Sequence, residues 1–161
     1  MKVLLINTSE FTGGAAVAAN RLMAALDKSE VEVNMIVRDK QSLNKSVISI
    51  NSSWFQKKLN KFRFIFERLV IFICNGFSKN NLFKVSIANT GVNISHHPLV
   101  LNADIIHLHW INQGFLSLSD IHKLINLGKP IVWTMHDLWS STGICHYPGE
   151  CIKYTSECKY C

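Results

Sequence analysis

The chain has 161 residues, 48% of them hydrophobic and 17% charged, with a formal net charge of +6 at pH 7. That length holds one domain with its own core, and the balance excludes a disordered polyelectrolyte; no repeat or low-complexity tract is present. The positive surplus concentrates between Trp54 and Arg68, where Lys57, Lys58, Lys61, Arg63 and Arg68 stand against only Glu67, a patch suited to phosphate on anionic lipid or nucleic acid.

The first stretch, Lys2 to Asn7, is a continuous apolar run ending in polar Asn7-Thr8-Ser9-Glu10. It is too short for the apolar region of a secretory signal and predicts a strand buried on both faces. Without an export signal the expected compartment is reducing, which favours thiols or metal ligands over disulfides. The loop carrying Gly13 and Gly14 leads into a helix over 15–29, where Ala15, Ala18, Leu22 and Ala25/Leu26 recur at helical spacing. Val31 to Val37 predicts a second strand, completing a β-loop-α-β unit and hence an open, mostly parallel α/β sheet. Val47 to Ile50 predicts a short strand and 54–74 a long helix, whereas 75–100 carries no period that assigns it. Ala103 to Trp110 predicts a strand, Ser117 to Leu127 a helix closed by Gly128, and Pro130 to His136 a last strand.

Glycines between a first strand and a first helix let a ligand phosphate approach the helix N-terminus, so Gly13 and Gly14 are candidates for phosphate binding, beside a purely structural tight turn. The G-x-G-x-x-G fingerprint is absent, which sets aside a nicotinamide dehydrogenase and leaves Asp39 as a surface turn residue. In the strand "DIIHLHW", His107 and His109 share a face. His107, deeper in the strand, is expected as a core histidine. His109 and Trp110 lie at the carboxyl end, where such sheets bind ligands, and His136-Asp137 repeat the arrangement on the next strand.

The helix over 54–74 carries a stripe of Phe55, Leu59, Phe62, Phe66, Leu69 and Ile73. Glu67-Arg68 interrupt its apolar character, so it is too short to span a bilayer. It reads either as a core helix with a basic rim or as an in-plane membrane contact through Lys57, Lys58, Lys61 and Arg63. No RNA- or DNA-binding motif accompanies the charges, and nucleic acid is not expected as a partner. Cys145, Cys151, Cys158 and Cys161 follow a C-x5-C-x6-C-x2-C spacing. They suit a structural Zn²⁺, two disulfides, or four unrelated thiols. Cys74 is expected as a buried small hydrophobe.

Two segments, "LLINTSEFTGGAAVAANRLMAAL" and "ADIIHLHWINQGFLSLSDIHKLINLGKPIVWTMHDLWSSTGICHYPGEC", resemble the N-terminal half of bacterial family 4 glycosyltransferases, in particular the colanic-acid-type and capsule-type transferases of surface polysaccharide synthesis. The resemblance covers both ends of the chain and little of its middle. It implies one Rossmann-like half of a GT-B enzyme that transfers sugar from a nucleotide-sugar donor with retention and without a catalytic metal. The domain, 1–161 with a cysteine-rich loop at 145–161, would bind the glycan or lipid-linked acceptor. The nucleotide-binding half with its E-x7-E motif is not within these residues, so the chain alone is expected to be inactive.

By the same resemblance, Gly13 and Gly14 approach the donor diphosphate and His109 touches the reacting sugars. His109 positions and polarises, while the donor phosphate removes the acceptor proton. Trp110, His136 and Asp137 are expected on the acceptor side. The implied location is cytoplasmic, peripheral on the inner membrane face. A non-catalytic glycan-binding module of the same fold and a zinc-stabilised nucleic-acid scaffold are the rival classes.

Overall fold

The apolar run after Met1 forms the central strand of a parallel sheet, the position at which both faces of a strand are sealed from water. In the computed structural model, which describes residues 1–158, the elements are β1 (Lys2–Ser9), α1 (Gly14–Lys28), β2 (Glu32–Asp39), β3 (Val47–Ser49), α2 (Trp54–Cys74), α3 (Pro98–Asn102), β4 (Ile105–Leu108), α4 (Leu118–Ile125) and β5 (Ile131–Trp133). All strand pairs are parallel, in the order β3-β2-β1-β4-β5. This is the expected Rossmann-like α/β sheet. Val3 pairs with Val33 on one side and Ile105 on the other, and Ile6 with Ile36 and Leu108. The chain fills one side of β1 first and then the other, so the switch point lies between β1 and β4.

Each face of the sheet builds its own core. Leu4, Ile6, Ile36, Ile106 and Leu108 pack with Phe115, Ile121 and Leu124 on one side. Val3, Leu5, Met35 and Val37 pack with Ala19 and Met23 of α1 on the other. Burying an aliphatic side chain of this size contributes about 1.5–3 kcal/mol relative to exposure. The deepest line of α1 is Ala16, Ala19 and Met23, one residue on from the expected stripe; Leu22 and Leu26 flank it. Small residues at 16 and 19 let the helix approach the sheet closely. α4 opens on a capping box between Ser117 and Asp120, which satisfies two N–H groups that a helix start otherwise leaves without partners.

α2 departs most from its sequence pattern. Its buried residues are Asn60, Glu67, Arg68 and Ile71, while Phe55, Leu59, Phe62, Phe66, Leu69 and Ile73 of the apolar stripe are exposed, Phe62 by 60%. Cys74 is exposed too, not buried as its composition suggests. The inward charges face each other and the polar groups of 82–88, with Glu67 Oε2 and Arg68 Nε and Nη2 left without a hydrogen-bond partner among the described residues. Glu67 Oε1 accepts from Ser86 Oγ and from the backbone N–H groups of Ile87 (3.0 Å) and Ala88 (3.1 Å). Arg68 Nη1 donates to the carbonyls of Leu82 and Val85. Its Nη2 lies 3.2 Å from Glu67 Oε1, and its guanidinium sits over Phe64 and Phe83. The stretch 82–88 thus takes part of its backbone partners from α2 side chains and part from backbone at Leu118, Ile144 and His146, which explains why it has no period of its own. Glu67→Ala leaves the Arg68 charge buried without its counter-charge. The expected cost is about 3–5 kcal/mol, measured by urea unfolding; a loss below about 1 kcal/mol would show that the pair does not hold this loop.

Candidate functional site

Parallel strands deliver all their carboxyl ends to one edge, and the polar residues that follow β1, β4 and β5 meet there. The seam at the switch point is closed by hydrogen bonds. Thr8 donates its N–H (2.8 Å) and its hydroxyl (2.9 Å) to Trp110 O, and buried Asn7 accepts from Trp110 N–H through Oδ1 at 3.0 Å. Beside it, Glu10 is buried and takes the backbone N–H groups of Gln41 (2.6 Å) and Ser42 (2.8 Å) and the Ser42 hydroxyl. Burial pushes its carboxyl up, and the Ser42 hydroxyl, the two amides and the Lys40 charge outweigh this and hold it below its ordinary value. Asn7, Thr8 and Glu10 were legible only as a polar loop.

His109 follows β4 directly and is 3% exposed. It belongs to a stack of three imidazoles: His107 at 4.5 Å between centroids and His136 at 5.2 Å. Its Nδ1 lies 2.9 Å from His136 Nε2. His107 Nε2 bonds Thr134 Oγ1 at 2.7 Å. The depth order is the reverse of expectation: His107 is half-buried and His109 is the buried one, because the loop after β4 folds over the strand end. Burial, then the like neighbours His107 and His136, pushes His109 down to about 4. Burial also lowers His107 and His136. His109 is therefore neutral at pH 7 and carries one N–H. Its Nε2 is buried with no hydrogen-bond partner among the described residues, and so is Asn112 Nδ2. Both residues line a small recess with Trp133, His136 and Trp139. Buried polar groups without partners are rare, and the recess beside this pair, about 10 Å³, has room for one water molecule or one hydroxyl group. Asn112 carried no sequence signal beyond its place after "HLHW".

Asp137 is engaged by the protein itself. Its Oδ2 accepts from Trp110 Nε1 at 2.9 Å and lies 2.7 Å from His146 Nδ1, and its Oδ1 accepts from Trp139 N–H at 2.9 Å. Burial raises its carboxyl, but the bonds from His146 and Trp139, with those of Trp110, hold it below the ordinary value. It fixes the Trp110 ring against His146, 5.8 Å between centroids. The structure thus brings His109, Trp110, His136 and Asp137 together, and adds Asn112 and His146.

Gly13 and Gly14 stand apart from this cluster, at the start of α1. Gly13 has φ of 90° and no side chain caps the helix; a Cβ added at either glycine meets nothing within 4 Å. Gly13 is needed for its backbone conformation, and neither glycine is demanded by crowding.

Cys145, Cys151 and Cys158 form no metal-binding group among the described residues. Cys145 lines an apolar cavity of about 540 Å³ with Ile71, Val85 and Pro148, held there by the antiparallel bridge between Val85 and Cys145. Cys151 is exposed, and Cys158 lies beside Gly143. Cys161 is outside the described residues. Among the described residues no group of three or more His, Cys, Asp or Glu side chains could hold a metal ion, so a structural Zn²⁺ is not supported. No helix among them is long and apolar enough to cross a membrane. Of the basic residues expected at a membrane, Lys57, Lys58 and Lys61 are exposed, whereas Arg63 is half-buried and donates to Asn60 Oδ1 at 2.6 Å.

Neither a protein-family model nor a solved structure matches the chain. Over 67 residues it is 33% identical to a protein of Escherichia coli (strain K12) provisionally named a colanic acid biosynthesis glycosyl transferase, WcaC. The match spans 40% of this chain and 16% of the length of that protein.

The neutral imidazole has a consequence for stability. His109 resists protonation when folded and accepts it when unfolded, so its contribution is present above the ordinary histidine value of 6.5 and is lost as pH falls towards about 4. Each pH unit in that window is worth up to about 1.4 kcal/mol for one such group. Urea unfolding at pH 7 and pH 5 should show wild type losing stability and His109→Gln losing less; equal losses would mean that His109 does not titrate in this way.

Proposed function

We propose that the chain is the acceptor-side domain of a retaining glycosyltransferase that moves a sugar from a nucleotide-sugar donor to a glycan or lipid-linked acceptor in surface polysaccharide synthesis. The observation that carries it is the buried, partnerless Nε2 of His109 at the carboxyl edge of a Rossmann-like sheet. The partial identity to a protein named as a glycosyl transferase supports the same reading. A neutral imidazole can accept from or donate to an acceptor hydroxyl through that atom, according to which nitrogen holds the proton shared with His136. His109 then orients the hydroxyl; the bond between the donor sugar and its phosphate breaks as the new glycosidic bond forms, and the departing phosphate takes the hydroxyl proton. Asn112 Nδ2 supplies a second donor to the sugar. Asp137 acts through other residues, as a positioning group that fixes Trp110 as a flat wall. The uncapped start of α1 at Gly13 and Gly14 leaves backbone N–H groups for the donor phosphates.

Membrane association is part of the proposal. The exposed apolar face of α2 would lie in the plane of an anionic inner-membrane surface, with Lys58 at its edge, where its ammonium sits 5.4 Å from the Trp54 ring centroid. This keeps the protein on the cytoplasmic side, next to a lipid-linked acceptor.

In an active enzyme containing this domain, His109→Ala lowers kcat/KM for sugar transfer by on the order of 10²-fold. Transfer within about twofold of wild type would make the histidine structural and end its role in orienting the acceptor. Vesicle co-sedimentation checks the membrane component. Binding should rise with acidic lipid content, weaken with salt and fall sharply in Phe62→Asp. Equal partitioning onto neutral and anionic vesicles would count against it.

A further inference from the structure

The basic residues of α2 divide between two sides of the helix. Lys58 lies beside the exposed apolar face, over Trp54. Lys57 and Lys61 instead line a recess of about 380 Å³ together with Arg38, Lys40 and Asn60. The recess opens where β2 ends and where the chain leaves β3, so it sits at the same carboxyl edge as the histidine cluster. Four cations face it, and Asp39 is the one carboxylate in its lining, an excess of three positive charges.

The Glu10 carboxylate acts on Lys40 from beside the recess, which leaves an excess of two positive charges. Arg38 already holds Asp39, through Nε at 3.0 Å and Nη2 at 2.6 Å, and its Nη1 donates to Gln113 O. Lys40 Nζ donates to the carbonyls of Asn44 (2.7 Å) and Val47 (2.6 Å). Carbonyls satisfy hydrogen bonds but leave the charge in place. A guanidinium has five N–H groups, so Arg38 retains two beyond these contacts. Buried Asn60 is fixed in the wall by Asn51 and Arg63. Like charges gathered around one small recess repel each other until an anion enters. The Arg38–Gln113 bond also ties the recess to the loop that carries His109 and Asn112.

We infer that this recess is a subsite for an anionic group, phosphate or carboxylate, carried by the sugar substrate on the acceptor side. Naming the ligand a sugar rests on the glycosyltransferase reading; the demand for an anion rests on the recess alone. Lys57 and Lys61 supply point charges, and Arg38 supplies directed N–H donors from a side chain that its own contacts hold still.

Titration calorimetry of the chain at low salt with glucose 1-phosphate, glucuronate and glucose tests the subsite. Glucose 1-phosphate, glucuronate or both should bind, and glucose should not. Lys57→Ala and Lys61→Ala should each weaken binding by about three- to tenfold, and the double variant by more than about tenfold. Lys58→Ala, on the other side of the helix, should leave it unchanged. Binding that is equal for all three sugars, or unaltered in the double variant, would overturn the subsite. So would an absence of sugar binding combined with loss of anionic-vesicle binding in the double variant, which would assign these lysines to the membrane. The titration needs no transfer, so an absence of sugar transfer by an enzyme containing this domain would end the transferase reading and leave the anion result standing.

Discussion

Strand β1 is committed on four sides. Leu4 and Ile6 serve one core and Val3 and Leu5 the other, while its edges carry the backbone ladders to β2 and β4. Every other strand takes its register from it directly or through one neighbour. Parallel pairing then sends the chain out of each strand at the same edge, and the polar segments after β1, β2, β4 and β5 are forced together. The histidine stack and the cationic recess are both products of that constraint.

A second constraint acts through α2. A helix normally turns its apolar stripe inward, yet here the inward side holds Glu67 and Arg68. Burying that pair is tolerable because each charge is met by the other and by the polar groups of 82–88, which have no ladder of their own. The pair therefore organises an irregular segment that joins α2 to the core, where Ala88 is buried. The apolar residues it displaces stay at the surface, which gives the molecule a water-facing aromatic band that its own fold does not cover.

At the site, charge and neutrality are kept apart over a short distance. The imidazoles of His107, His109 and His136 stack in a buried place that disfavours protonation. The cations gather around the recess beyond Gln113. Asp137, the acid nearest the stack, has its oxygens taken by Trp110, His146 and Trp139. A neutral hydrogen-bonding group and a separate anion-attracting group, on one edge and joined by one loop, suit a ligand that carries both hydroxyls and a negative charge.

Hydrophobic periodicity was enough to determine the order and type of the strands, the helices at 14–28, 54–74 and 118–125, and the gathering of His109, Trp110, His136 and Asp137 at strand ends, because burial on two faces and strand direction are written locally. What it could not carry were choices that depend on partners distant in sequence. Which side of α2 faces inward followed from Ser86, Ile87 and Ala88 being available to Glu67. The stretch 75–100 lacked a period because its backbone bonds are divided among local turns, the α2 side chains and distant backbone at Phe115 and Ile144. The depth order of His107 and His109 was set by the loop that closes over β4. The place of Cys145 followed from the bridge to Val85, and spacing offered Cys151 and Cys158 as its fellow ligands. Spacing alone allowed those thiols to converge; only the tertiary structure decided that, among the described residues, they do not, because metal ligation depends on where side chains lie in space and not on how far apart they fall along the chain.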